Sequence, residues 1–280
     1  MLIGLHVSSS GGVEQAPERA AKETGEALQI FAGSPRMWRK TIFSSEQGEA
    51  FQANMRQHNI AQAFVHVMYL TSYGAPDTEH RAKSVDAFIT ALTNCDTLGC
   101  RGAVTHLGSH KGLGFEQALP RIAASLNKVL ASDTKAQVIL ENSAGAGGNI
   151  GNSFEELAAI IEACDNHPRL KICLDTAHAF TAGYDLRGES EWQTLMQEFD
   201  SIIGLDRLAV MHLNDSKAEF TSRKDRHENI GDGYIGSEAF TAIINDERLS
   251  STAGILEVPG LDGSGPDQAN VDRLRALRRG

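Results

Sequence analysis

Eight short apolar runs divide the chain at helix-length intervals: LIGLHV, ALQIFAG, AFVHVMY, GAVTHLG, AQVILEN, LKICLDT, LAVMHLN and GILEVPG. This spacing constrains the fold more than any other feature of the sequence. A strand with one face in water alternates apolar and polar residues, and these runs are too apolar for that. Both faces are buried in parallel strands, whose crossover segments supply the helices that cover the sheet. Helical patterns duly lie between the runs, among them APERAAKETG, FEQALPRIAASLNKVLAS and SFEELAAIIEAC, the last with Ser153 as N-cap and Glu156 three residues on. Eight strand–helix units predict one α/β domain over residues 1–280, a closed (β/α)₈ barrel of the TIM type. An open doubly wound sheet is the alternative, but it normally has fewer strands and a G-x-G-x-x-G turn after the first. SSSGGVEQ follows LIGLHV here, and no linker, charge block or low-complexity segment divides the chain.

With 280 residues, 41% of them hydrophobic and 22% charged, the chain can bury a sizeable core, and its composition excludes disordered and fibrous classes. No apolar run is long enough to span a bilayer, and the first residues lack the basic flank of an export signal, so a soluble cytoplasmic protein is expected. Cys95, Cys100, Cys164 and Cys173 show no C-x-x-C spacing, and Cys173, inside KICLDT, reads as strand core. A formal charge of -10 argues against a polyanionic partner unless bound cations reverse the sign locally.

In a barrel of this type, functional groups stand at the carboxyl ends of the strands and in the loops that follow. Tested there, the sequence gives His66 on the third run, His106 on the fourth, Glu141 on the fifth and Asp175 on the sixth, with His178 three residues on. The seventh run ends in His212, the eighth carries Glu257, and the seventh loop adds Asp225 and His227. Each alone is more simply a hydrogen-bonded structural residue. Together they crowd one mouth with acidic and imidazole groups, at a cost of several kcal/mol without compensating cations. Nitrogen and oxygen donors without cysteine favour zinc, manganese or iron. Nine candidate ligands at three or four per ion suit two or three metals. Three divalent ions against four carboxylates would leave the mouth about +2, a phosphate-attracting centre in an acidic protein. His6 and His110 lie near this mouth, whereas His58, His80 and His167 read as surface residues.

The blocks LDTAHAFTAGYDL, HLNDSK and DRHENIGDG, with HLGSHKG, ENSAGAGGNIG and a span running from HVSSSGG to LEVPG, together resemble the endonuclease IV family of apurinic/apyrimidinic (AP) endonucleases. The resemblance implies three zinc ions, with manganese an alternative at one site. His66 and His106 would hold the first, bridged by Glu141 to a second that Asp175, His212 and Glu257 complete. His178, Asp225 and His227 would hold the third, and Asp215 would orient the loop rather than bind metal. Glu141 and Glu257 are the candidate catalytic residues, Glu141 setting the metal spacing and Glu257 positioning the attacking water. The partner implied is double-stranded DNA containing abasic sites, cut on the 5′ side to leave a 3′-hydroxyl and a 5′-deoxyribose phosphate. In FAGSPRMWRK, Arg36 matches an arginine that enters the duplex at the lesion, and in HVMYL, Tyr69 and Leu70 match residues that wedge into the stack. A monomer is expected, because a duplex must lie across the mouth.

Two rival readings remain. A sugar isomerase or epimerase on a related barrel also gathers Glu, Asp and His at strand ends, but it needs fewer ligands and gives the Asp225–His227 pair, Arg36 and Tyr69–Leu70 no task. A non-catalytic DNA-damage or metal-binding protein would be expected to have lost a ligand, and none is missing.

Overall fold

All eight runs become parallel strands. In chain order the strands are β1 (Leu2–His6), β2 (Ala27–Phe31), β3 (Gln62–His66), β4 (Gly102–Thr105), β5 (Gln137–Glu141), β6 (Leu170–Asp175), β7 (Leu208–His212), the two-residue strands β8 (Asp215–Ser216) and β9 (His227–Glu228), and β10 (Ala253–Leu256). The computed structural model describes residues 1–279, and in it the eight longer strands close in the order β1-β10-β7-β6-β5-β4-β3-β2. This is the TIM barrel expected from the spacing. β8 and β9 form a separate antiparallel pair in the seventh loop, Asp215 opposite Glu228 and Ser216 opposite His227.

Side-chain alternation divides the strand residues between two cores. Phe64, Val104, Ile139, Cys173, Val210 and Ile255 form an apolar plug, in contact with Ala27, Ala209 and Ala253. The residues between them, such as Val65, Leu140, Leu174 and Met211, join the larger core with the helices. Because side chains on a strand repeat with period two, the residue two past each plug member faces the same way, one layer nearer the carboxyl end. Those residues are His66, His106, Glu141, Asp175, His212 and Glu257. The plug is therefore the floor of the site, and the pleat places six polar groups above it.

The strands stop sooner than the apolar runs. β4 ends at Thr105 and β10 at Leu256, so His106 and Glu257 stand one residue beyond their strands. Helices Ala16–Lys22, Phe115–Leu130 and Phe154–Ala163 match the patterns read from sequence. Ser153 caps the last of these by accepting from the Glu156 amide, but Glu156 does not close the capping box; its carboxylate accepts instead from the Gly151 amide at 2.7 Å. Ser44 and Gln47 make the full reciprocal box on helix Ser45–Gln57.

Candidate metal centre

The D-T-A-H spacing is explained by local structure. Asp175 ends β6 and is also the N-cap of helix Thr176–Ala182, its carboxylate accepting from the His178 amide at 2.8 Å. The helix turns at once, so a residue three positions on returns to the same mouth. His178 is thereby delivered beside Asp175 although it lies on no strand.

The nine residues singled out from sequence converge on this mouth. Three groups have ligand atoms mutually within 4.8 Å: His66, His106 and Glu141; Glu141, Asp175, His212 and Glu257; and Asp175, His178 and His227. Asp225 stands beside the third group, its two oxygens 3.3 Å from His178 Nε2 and 3.4 Å from His227 Nε2. Glu141, fully buried, faces two groups at once: Oε2 lies 3.1 Å from His66 Nε2 and 3.3 Å from His106 Nδ1, and Oε1 lies 3.1 Å from His212 Nδ1. Asp175 Oδ2 lies 3.8 Å from both His212 Nδ1 and His227 Nε2.

The far side of each ring decides what these contacts mean. His66 Nδ1 lies 2.6 Å from the Val67 carbonyl, His178 Nδ1 3.0 Å from the Asn142 carbonyl and His227 Nδ1 3.3 Å from the Glu257 carbonyl. A carbonyl only accepts, so each of those nitrogens carries the proton. In the neutral ring the other nitrogen then presents its lone pair to carboxylate oxygens, an arrangement that repels unless a cation lies between. His227 Nε2 is in addition buried without any hydrogen-bond partner. Ring nitrogens pinned from behind and aimed at shared carboxylates are what a divalent metal with mixed nitrogen and oxygen ligands requires, so the residues fit such ions.

Electrostatics agree in direction. Burial opposes charge on Glu141, but His106 and His212 outweigh it and hold the carboxyl well below its usual range. Asp225 and Glu257 are also held low against burial, chiefly by His178 and by His212 respectively. Burial lowers His178 and His212 too, yet Asp175 and Asp225 push His178, and Cys173, Glu257 and Glu141 push His212, well above the ordinary histidine value. Such demand for positive charge among buried anions is met by protons or by metal.

Asp215 has the supporting role expected of it. Fully buried, its carboxylate accepts from the amides of Ser216, Gly231, Gly233, Ile235 and Gly236 at 2.7–3.4 Å. A Cβ on Gly233 would lie 2.4 Å from Asp215 Oδ1 and 2.5 Å from the Ser216 carbonyl, so glycine alone permits this approach. The loop thus folded back is further fixed to helix Thr176–Ala182 by the Arg223 amide on the Thr181 carbonyl at 3.0 Å.

The rim residues share one edge of the mouth. The Tyr69 amide donates to the Pro35 carbonyl at 3.0 Å, joining the loops that carry Tyr69–Leu70 and Arg36. The half-exposed Tyr69 ring lies parallel to His106 at 5.9 Å and edge-on to Phe31 at 5.2 Å. Arg36 is exposed. A cleft of about 780 Å³ runs from Tyr69, His227 and Glu257 outward between the β1 loop, Ser8–Ser10, and the β10 loop, Gly263–Pro266.

Sequence reasoning missed several supporting groups. Asn142 and Asn214 follow strand-end residues and fasten Asp175, by the Asp175 backbone and by a 2.7 Å bond to Oδ2. His80 is half-buried, not a bystander: its Nε2 lies 2.8 Å from the Leu70 carbonyl and its ring is edge-on to Trp38 at 5.4 Å. Gln29 was detectable as a polar residue at an inward position of the otherwise apolar β2. His6 contacts Glu257 Oε1 at 3.1 Å, and His110 caps its own loop by accepting from the Gly112 and Gly114 amides.

A closed parallel barrel whose mouth gathers His, Asp and Glu side chains in groups that could hold metal defines the class, and residues 18–279 match the family described as a xylose isomerase-like TIM barrel. Within that class, the chain is 40% identical to the probable endonuclease 4 of Campylobacter hominis, with 99% of each chain covered. The crystal structure of endonuclease IV from Thermus thermophilus superposes with a TM-score of 0.86 at 33% identity, covering 99% of this chain and 98% of that one. A D-tagatose 3-epimerase-like protein shares the fold alone, at a TM-score of 0.75 and 19% identity, with 99% and 97% covered. The chain belongs to the endonuclease IV family. It is an enzyme of the hydrolytic endonuclease class.

Proposed function

We propose that this chain is a zinc-dependent AP endonuclease of DNA base-excision repair, which hydrolyses the phosphodiester 5′ to an abasic site in duplex DNA to leave a 3′-hydroxyl and a 5′-deoxyribose phosphate. The observation that carries the reading is the set of imidazoles pinned from behind with their free nitrogens aimed at shared carboxylates. In this reading three ions are held, by His66, His106 and Glu141; by Glu141, Asp175, His212 and Glu257; and by His178, Asp225 and His227, with manganese an alternative at one of them. When bound, such ions supply Lewis acidity at the scissile phosphate and make water a competent nucleophile near neutral pH.

The residues do the rest by position. Glu141 spends one oxygen on each side and so fixes the spacing of the centre. Glu257 turns Oε1 toward His6 and Gln29 and Oε2 toward His212, and at the edge of the cleft it orients the attacking water. Tyr69 and Leu70 fill the space of a missing base from the rim, and Arg36 enters the duplex beside them. Unstacking costs a few kcal/mol and least where a base is already absent, which favours damaged sites. Lys217, Arg223, Lys224 and Arg226, all exposed on the loop over the mouth, contact phosphates. The enzyme acts as a soluble monomer in the cytoplasm; among the described residues no helix is long and apolar enough to cross a membrane.

The test combines metal analysis of the purified protein with cleavage of a duplex carrying one synthetic abasic site. About three metals per chain, mostly zinc, and a nick immediately 5′ to the lesion are expected. One bound metal with sugar epimerisation and no nicking would sink the proposal.

A further inference from the structure

Gln29 is fully buried on β2, between the plug residue Ala27 and the rim residue Phe31. Its amide nitrogen lies 2.7 Å from Glu257 Oε1 and 3.1 Å from His6 Nδ1, and its amide oxygen 3.0 Å from His212 Nε2. Chemistry fixes this orientation. The Glu257 carboxylate only accepts, so the group facing it at 2.7 Å is the amide NH₂, and the oxygen must face His212. That oxygen also only accepts, so His212 Nε2 carries a proton, and in the neutral, metal-binding ring Nδ1 is left bare. Nδ1 then points at Glu141 Oε1 at 3.1 Å, Glu257 Oε2 at 3.3 Å and Asp175 Oδ2 at 3.8 Å.

We infer that Gln29 is the positioning residue of the His212 metal site: one amide sets the tautomer of His212 and holds the Glu257 carboxylate so that a single oxygen faces the ion. The inference rests on the metal-centre reading above but requires only one metal, at His212. Two comparisons separate this role from ordinary core satisfaction. The Asn142 side chain bonds only backbone, the amide and carbonyl of Asp175, and Asn214 bonds the Glu257 amide besides Asp175 Oδ2, so both have strand-end work to do. Every hydrogen bond of the Gln29 side chain goes instead to Glu257, His6 or His212. Its neighbours on the inward face of β2, Ala27 and Phe31, are apolar, so packing does not call for an amide here, and what an apolar side chain of similar length would leave unpaired is the His212 Nε2–H and the Glu257 carboxylate.

The experiment measures zinc affinity by competition with a chromophoric chelator, and the melting temperature of the chelated, metal-free proteins. Wild type is compared with Gln29→Met, which keeps the volume and loses both hydrogen-bonding ends, and with Gln29→Glu, which keeps the acceptor facing His212. In Gln29→Met one zinc should become about 10–100-fold weaker while the remainder hold at wild-type affinity, and the metal-free melting temperature should fall by no more than the few degrees that one unpaired buried donor costs. Gln29→Glu keeps the acceptor facing His212 but sets a second oxygen against Glu257 Oε1, so the same zinc should stay weaker than in wild type. Unchanged affinity in Gln29→Met, a metal-free melting temperature lowered by about ten degrees or more, or wild-type affinity in Gln29→Glu would overturn the assignment. Wild type that holds metal without cutting abasic DNA would overturn the proposed function and leave the Gln29 result standing; wild type that holds no metal overturns both.

Discussion

The floor of the barrel mouth and its rim carry the same enzyme in opposite physical states. On the floor, Glu141, Asp175 and His212 are fully buried, and each has at least two polar partners in fixed geometry. On the rim, Arg36 and Tyr69 are exposed, and what locates them is mainly backbone: the Tyr69 amide on the Pro35 carbonyl, and the Leu70 carbonyl against His80. A buried charge is expensive unless every partner is present, so the floor must be over-determined. A surface that receives a large, variable polymer has no such requirement. The lesson is that substitutions on the floor should act on metal and chemistry, and substitutions on the rim on binding alone.

The sharpest break of that division is Glu141→Ala. It removes the one carboxylate that faces both the His66–His106 pair and the His212 group, and leaves their nitrogens without an anion between them. Activity on an abasic duplex should fall on the order of 10⁴-fold or more, and metal analysis should show fewer ions per chain. Full metal content with that loss would mean that Glu141 acts in chemistry without bridging.

Asp215→Ala tests whether the loop between β7 and the third ligand group belongs to the floor. Five amides lose their acceptor, those of Ser216 and Ile235 buried and those of three glycines half-buried, and each buried orphaned donor costs about 1–3 kcal/mol. The net loss should be about 3 kcal/mol or more in denaturant unfolding, with weaker metal binding at His227 as a consequence. A loss within about 0.5 kcal/mol, the range of ordinary surface substitutions, would place the loop with the rim.

A third test compares metal-loaded and metal-free protein across pH. In the metal-free protein His178 and His212 are held above their ordinary value, so the stability they give is complete below the unfolded-chain value near 6.5 and is lost as pH rises through their raised values. Glu141, Asp225 and Glu257 are held low, so their contribution is present above about pH 4.5 and is lost only as pH falls through the depressed values. Metal replaces the protons on the histidines. The melting temperatures of the two forms should therefore separate as pH rises from about 6 to 9; curves that stay parallel would count against metal and protons sharing one site.

How much of this was legible in the sequence follows the same division. The candidate ligand positions on the floor were legible as inward polar groups because period-two alternation ties His66 to Phe64, Glu141 to Ile139 and His212 to Val210, and the runs announce the strands. His178 was readable because three residues past an N-cap is a fixed place on a helix. The supporting shell was less visible. Gln29 carries no motif, and its role depends on Glu257 and His212 from strands more than 180 residues away in sequence. His80 read as a surface residue because helix Thr78–Leu98 starts with polar positions, and only the fold brings the Leu70 carbonyl over it. The third candidate group draws on more than sequence spacing shows: Asp225 lies closest, 3.3 Å from His178 Nε2 and 3.4 Å from His227 Nε2, and Asp175 of β6 backs it at 3.8 Å from both rings.

The smallest expected effects lie on the rim, where Tyr69→Ala and His80→Leu make a graded pair. Tyr69→Ala removes the aromatic face that stands beside His106, and base–aromatic contacts of this kind are worth about 1–3 kcal/mol. Affinity for abasic duplex should fall about 5- to 150-fold in a titration at fixed salt, with metal content unchanged. His80→Leu leaves Tyr69 and Leu70 in place and removes only the group that holds the Leu70 carbonyl and packs against Trp38, one hydrogen bond of roughly 1 kcal/mol. Its loss should appear as a KM for abasic substrate raised about five-fold, with kcat and metal content kept. Preference over intact duplex should shrink in both variants, more in Tyr69→Ala. If either one loses metal, the rim is mechanically part of the floor, and the division drawn from burial fails where the two loops meet at Pro35 and Tyr69.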